Sequence, residues 1–180
     1  MVGKIACVAV FCSLCGCTLS SLKVEDILMK MKAEPMDLNT NEFHLVLTKN
    51  ADNVSSRLEE RYKLVVYSDS NNCSGCYIDH LSRWNDFLYL ENDGLGVNFY
   101  FIIEARNNET EKLVPLLEDC DLRHAIYIDE NSSFRKSNPN LPEESFFHTF
   151  LLDQNNNVLL VGNPLSNERM ENLYLKTILQ

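Results

Sequence analysis

The chain has 180 residues, 45% of them hydrophobic and 23% charged, which is ordinary globular usage and speaks against a disordered or fibrous protein. That length suits one domain with short extras. Twenty-six acidic against sixteen basic residues give a net charge of −10, which argues against nucleic acid or anionic lipid head groups as partners of its surface.

The first elements belong to targeting and not to the fold. Lys4 supplies a short basic start, and an apolar run follows from Ile5 to Gly16. That run has the size of a signal-peptide core and is too short to span a bilayer comfortably. It ends in Leu14-Cys15-Gly16-Cys17, followed by the polar Thr18, Ser20 and Ser21, and so resembles a bacterial lipobox, although Cys15 stands where Ala or Ser is more usual. The resemblance implies a signal peptide over 1–16 and a lipid on Cys17, tethering the protein to a membrane of the cell envelope and facing the periplasm or exterior. An ordinary cleaved signal or an uncleaved anchor is the alternative. Cleavage removes Cys7, Cys12 and Cys15, leaving Cys17, Cys73, Cys76 and Cys120, too few for a disulfide-rich scaffold.

Residues 17–42 read as a tether with a short helix, in which Leu22, Val24, Ile27, Leu28 and Met31 form an imperfect stripe and Pro35 stops it. The domain proper is expected over 43–180. It begins with a weak edge strand at 43–48 and a polar helix over about 51–60. Tyr62–Tyr67 is a buried strand, 68–72 a polar loop, and a helix follows through Ile78, Leu81, Trp84, Phe87 and Leu88. Val97–Ile103 is apolar throughout and is expected at the centre of a sheet. A helix over 109–118 contains Pro115, Ala125–Ile128 is a short strand, and 129–145 is a Ser/Asn/Pro loop. Phe146–Leu152 and Val158–Val161 form a hairpin across an Asn-rich turn, and a last helix runs from Ser166, its expected N-cap, to Leu179. This order predicts an α/β domain with a mixed central sheet, a right-handed parallel crossover and helices on both faces.

Cys73-Ser74-Gly75-Cys76 lies between the strand 62–67 and the helix that follows. A helix N-terminus stabilises a thiolate on Cys73, and Cys76, one turn further on, is placed to close a disulfide with it. Cys73 is therefore the candidate nucleophile and Cys76 the resolving thiol. Half of a zinc site is a poor alternative, since no second Cys-x-x-Cys or His pair accompanies it. A permanently closed structural disulfide is a better one in an oxidising compartment. Cys120, among Glu118, Asp119 and Asp121, reads as unreactive, Trp84 and Phe87 as core, and His80 as a surface or packing residue. The sequence implies neither cofactor nor metal.

The strand 62–67, the motif at 73–76, the strand 97–103 and Thr149-Phe-Leu-Leu-Asp153 with Val158–Gly162 together resemble the thioredoxin superfamily. They are most similar to its TlpA-like and peroxiredoxin-like branch, with a helix and strand inserted before the hairpin, and to thioredoxin-like lipoproteins of Bacteroidetes. The resemblance covers about 62–178. It implies a thiol–disulfide oxidoreductase acting on exported proteins through Cys73 and Cys76, with a further partner that donates or accepts electrons. Three positions depart from the family. Asn72 replaces an aromatic residue, Tyr67 stands where a buried acid is usual, and His148 takes the place of the cis-proline before Thr149. His148 is consequently a candidate catalytic residue, able to stabilise a Cys73 thiolate or move its proton, or else a half-exposed residue at a strand start. A non-catalytic binding or structural module with a stable disulfide is the competing function. A peroxidase is the weaker third, because Ser70-Asn71-Asn72-Cys73 lacks the Thr and Pro that such sites place around the cysteine.

Overall fold

Alternation of buried strands with amphipathic helices produces one six-stranded sheet covered on both sides. The computed structural model describes residues 15–51, 60–70, 74–92, 94–105 and 109–180; for 15–22, 74–76 and 92 the backbone alone is described. The strands are β1 (His44–Val46), β2 (Tyr62–Ser68), β3 (Val97–Glu104), β4 (Ile126–Asp129), β5 (Thr149–Asp153) and β6 (Val158–Val161), in the spatial order β1-β4-β3-β2-β5-β6. The pairs β2–β3 and β3–β4 are parallel, whereas β1, β5 and β6 pair antiparallel with their neighbours. All eight residues of β3 are buried, as a central strand requires. The expected mixed sheet with an inserted helix and strand is therefore present. The polar helix expected over about 51–60 falls almost wholly outside the described residues.

One face of the sheet carries α2 (Ser74–Leu81), α3 (Tyr89–Asn92), α4 (Thr110–Glu118) and α6 (Glu168–Ile178), packed over Leu64, Val66, Phe99, Phe101 and Ile103. The single helix expected after the motif is in fact broken: α2 gives way to a 3-10 segment, Ser82–Asp86, before α3. The reason lies in the spacing. Leu81, Trp84, Phe87 and Leu90 recur at intervals of three and are all buried, a stripe that three residues per turn holds on one side better than 3.6 does. The last helix is capped by Asn167, whose side chain accepts from the Met170 N–H, and not by Ser166, which closes a preceding 3-10 turn.

The other face carries α1 (Cys15–Met31), α5 (Ser133–Ser137) and the segment following α1. The end of the expected tether packs firmly here, because Met31 and Met36 are fully buried. The Met36 N–H donates to the Asn156 carbonyl (2.9 Å), Asn140 Nδ2 to the Met31 carbonyl (3.1 Å), and Asn138 joins both backbone groups of Asp37. The stretch 129–145, expected as loop throughout, contains α5. Asp129 accepts from the Asn131, Ser133 and Phe134 N–H groups and so builds the turn that starts this short helix. Among the described residues, no helix is long and apolar enough to cross a membrane.

Candidate functional site at the carboxyl ends of the parallel strands

The exits of β2, β3 and β4 lie side by side, Ser68 level with Ile103 and Glu104 level with Asp129. The loop leaving β2 runs through Asp69 and Ser70 toward residue 73, and α2 starts at Ser74. Cys73 itself lies outside the described residues, and Cys76 is described only as part of α2. The same holds for Cys17, a backbone position in α1. Cys76 thus belongs to the first turn of the helix that follows β2.

His148 is placed where it was expected along the chain, directly before β5, its carbonyl accepting from the Tyr67 N–H at 2.9 Å. It is not half exposed: 2% of it reaches solvent. Strand alternation sends Val66 and Thr149 toward the α2 face, and Tyr67 and His148 toward the α5 face. Accordingly the imidazole stands edge-on to the Tyr67 ring, with Nε2 at 2.9 Å from the Pro142 carbonyl and 3.3 Å from Arg135 Nη2. One nitrogen cannot both donate to the carbonyl and accept from the guanidinium, and the shorter contact places the proton on Nε2. Burial is the main influence on this ring and pushes its pKa below the ordinary value, so at neutral pH it carries no charge. Nδ1 is then a bare lone pair, enclosed and without a hydrogen-bond partner among the described residues, 3.9 Å from Asp69 Oδ2.

Asp69, expected in the loop, is in the loop but buried, and Arg135 Nη2 lies 3.7 Å from its Oδ2. A buried acid does stand on the next strand, β3. Glu104, the last residue of β3, is buried and accepts from the Tyr67 hydroxyl, from Ser70 Oγ (2.8 Å) and from Ser132 Oγ (2.9 Å). Burial opposes its ionisation, but these three hydroxyls and the Arg135 charge outweigh it and hold the carboxyl below the usual range. Tyr67 moves the opposite way: burial and the neighbouring carboxylate raise its phenol. The signal that identifies Glu104 is an acid ending an otherwise apolar strand. Reading that strand as closing at Ile103 left it out.

On the α2 face a groove of about 700 Å³ opens beside the motif helix. Tyr77, Leu81 and Trp84 form one side, Phe146 and Thr149 another, and Met170 closes the end. Gly162, at φ +121°, donates its N–H to the Thr149 carbonyl there, and any Cβ on it would lie 2.9 Å from Met170 Cε. His80 is an exposed residue of the groove, which carries Arg83 and no carboxylate among its described lining residues. Phe146 stands mostly exposed at its mouth. The Tyr77 hydroxyl, next in sequence to Cys76, is enclosed without a partner among the described residues, and burial raises its pKa. Cys120 is buried at the end of α4 with its thiol pushed up, chiefly by burial, in keeping with an unreactive residue. Trp84 and Phe87 are core.

No family model matches the chain, and no curated protein matches it. Solved structures do. The solution structure of a thioredoxin-like protein in the oxidized form aligns with 84% of this chain and 97% of its own, at a TM-score of 0.52 and 17% identity. A putative protein disulfide isomerase from Bacteroides thetaiotaomicron aligns over 81% of this chain and 86% of its own (TM-score 0.47, 15% identity). A putative thiol:disulfide interchange protein DsbE from Chlorobium tepidum aligns over 66% and 81% (TM-score 0.46, 17% identity). With the strand order above, the first of these establishes a thioredoxin-like fold.

Proposed function

We propose that this protein is a thiol–disulfide oxidoreductase tethered to the membrane outside the cytoplasm, whose Cys73–Cys76 pair exchanges with thiols or disulfides of exported proteins. The observation that carries the reading is the junction: a Cys-x-x-Cys spanning the exit of a central parallel strand and the first turn of α2 in a thioredoxin-like sheet. Free N–H groups at that helix start favour a thiolate on Cys73. This thiolate attacks a substrate disulfide, forming a mixed disulfide and releasing one substrate thiolate. Cys76, once deprotonated, attacks the Cys73 sulfur, releases the second substrate thiol and closes the Cys73–Cys76 disulfide. Run in reverse, the same steps oxidise a substrate dithiol, and a separate redox partner resets the pair in either direction. The groove beside α2 suits an extended substrate segment, with Phe146 and Trp84 offering apolar contact. His148, neutral and bearing a bare Nδ1, is suited to accept a proton during exchange if the Cys73 thiol reaches it. The lipobox-like run supports a lipid on Cys17 and hence the location.

Insulin reduction and equilibration with dithiols test the activity. Cys73→Ser abolishes exchange, and Cys76→Ser accumulates mixed disulfides with substrate; a Cys73–Cys76 bridge that survives strong reductant overturns the reading. Palmitate labelling lost in Cys17→Ser tests the tether. A second reading, a binding module without turnover, is favoured by the His148 ring, whose described contacts lie on the α5 side of the sheet. Partners retained unchanged by the Cys73→Ser/Cys76→Ser double variant would support it.

A further inference from the structure

Glu104 ends the middle one of three parallel strands, and the two loops flanking it leave the strands on either side. Ser70, in the loop that leads from β2 to Cys73, and Ser132, in the loop that leads from β4 to α5, both donate to the same oxygen, Oε1. The other oxygen accepts from Tyr67, which fixes the carboxylate to the strand carrying the motif loop. Ser132 adopts a left-handed backbone (φ 54°, ψ 33°), a conformation unfavourable for a residue with a Cβ, and its hydroxyl meets Glu104 there. Buried groups that collect several hydrogen bonds across separate chain segments order those segments together.

We propose that Glu104 is a positioning residue for the redox motif: its carboxylate pins Ser70, three residues before Cys73 in sequence, to the turn before α5 and thereby favours the Cys73 thiolate. The proposal rests on the reading of Cys73 as the attacking thiol. The groups facing Glu104 are Tyr67 from β2, Ser70 from the motif loop, Ser132 and Arg135 around α5, and His148 ahead of β5, while Asp69 lies 3.7 Å from Arg135 and 3.9 Å from His148. Of the charged ones, Arg135 favours the ionised carboxyl, which keeps all three hydroxyls as donors. Glu104 acts through the loop, so it is distinct from a group that exchanges a proton with substrate.

Hydrogen exchange and pH-resolved alkylation of the full chain test this, with peptides read by mass spectrometry. In Glu104→Gln, amides of 68–76 and of 129–135 exchange at least tenfold faster together, while the hairpin 149–161 is unaffected. Ser70→Ala speeds the first segment and Ser132→Ala the second, each about threefold or more. The alkylation midpoint of Cys73 in Glu104→Gln rises toward ~8.5, the value of an unperturbed thiol. Exchange that is unchanged, or raised equally everywhere, overturns the pin, as does a Cys73 midpoint that stays put while both segments loosen. Should Glu104→Gln not fold, Ser70→Ala and Tyr67→Phe carry the same measurements. A wild-type Cys73 with an ordinary midpoint, beside the expected exchange pattern, refutes the redox reading and leaves the pin standing on its own.

Discussion

The sheet buries ionisable groups at both of its ends, and the two ends are built differently. At the amino ends of β2 and β3, Lys63 reaches Asn156 Oδ1 (2.5 Å), the Gln154 carbonyl (3.2 Å) and Glu60 (3.5 Å), while Glu60 accepts from Asn98 and Tyr100. Each polar group in this network is matched, and the turn that closes it is itself held by Asp153, whose side chain accepts from the Asn155 and Asn157 N–H groups. At the carboxyl ends, Glu104 is equally well matched, but His148 Nδ1 is enclosed with no partner among the described residues, and Ser132 has a left-handed backbone. The amino-end network also holds a left-handed residue, Asn156 at φ 66°, so backbone conformation does not distinguish the two ends, whereas the orphaned imidazole nitrogen does. One end is thus a matched network, and the other holds an acceptor left unmatched among the described residues.

That contrast can be broken at several points. Lys63→Ala removes the bonds to Asn156 Oδ1 and the Gln154 carbonyl together with the ion pair to Glu60, and should cost about 3 kcal/mol in urea unfolding, with thiol exchange unaltered. Glu104→Gln should cost about 1–2 kcal/mol and act on Cys73 as well. Its pH signature has a defined sign. A carboxyl with a depressed folded pKa contributes stability that is complete above the unfolded value of ~4.3 and is lost as pH falls through the folded one, so Glu104→Gln flattens the acid limb of a Tm-versus-pH curve. His148 gives a smaller effect of the same sign in a higher window. Its folded pKa is also depressed, so the unfolded chain takes up the proton first as pH drops below ~6.5, and stability declines from there; His148→Gln should remove that decline, about 1 kcal/mol at most by pH 5. Ser132→Gly should change stability least, because relief of the left-handed backbone offsets the lost hydroxyl within about 0.5 kcal/mol.

Much of the fold was legible because the central strands announce themselves. Tyr62–Tyr67 and Val97–Ile103 are continuous apolar or β-branched runs, and the hairpin is marked by its Asn-rich turn. The break after α2 was written in the spacing of Leu81, Trp84, Phe87 and Leu90, but a stripe at three and four reads as an ordinary helix until the threes are counted alone. Met31 already stood in the apolar stripe of the first helix, whereas Met36, a single methionine between Pro35 and Asp37, gave little warning of its burial. At the site, the position of His148 followed from its place before Thr149, whereas its side of the sheet depended on strand register, which only pairing reveals. Glu104 was missed for a related reason: the acid facing Tyr67 comes from 37 residues further along the chain, and no local pattern joins the two.

The packing of the segment around Met31 and Met36 also bears on how far the domain could travel. With a lipid on Cys17, the fourteen residue-to-residue steps from Cys17 to Met31 would form a helical strut of about 21 Å, whereas an extended linker of that length reaches roughly 49 Å. Because the far end of the strut is fastened to the domain by Met31, Met36 and the Asn138–Asp37 bonds, slack is confined to the lipid end. A domain held in that way would be confined to a thin layer over the bilayer and would search it in two dimensions.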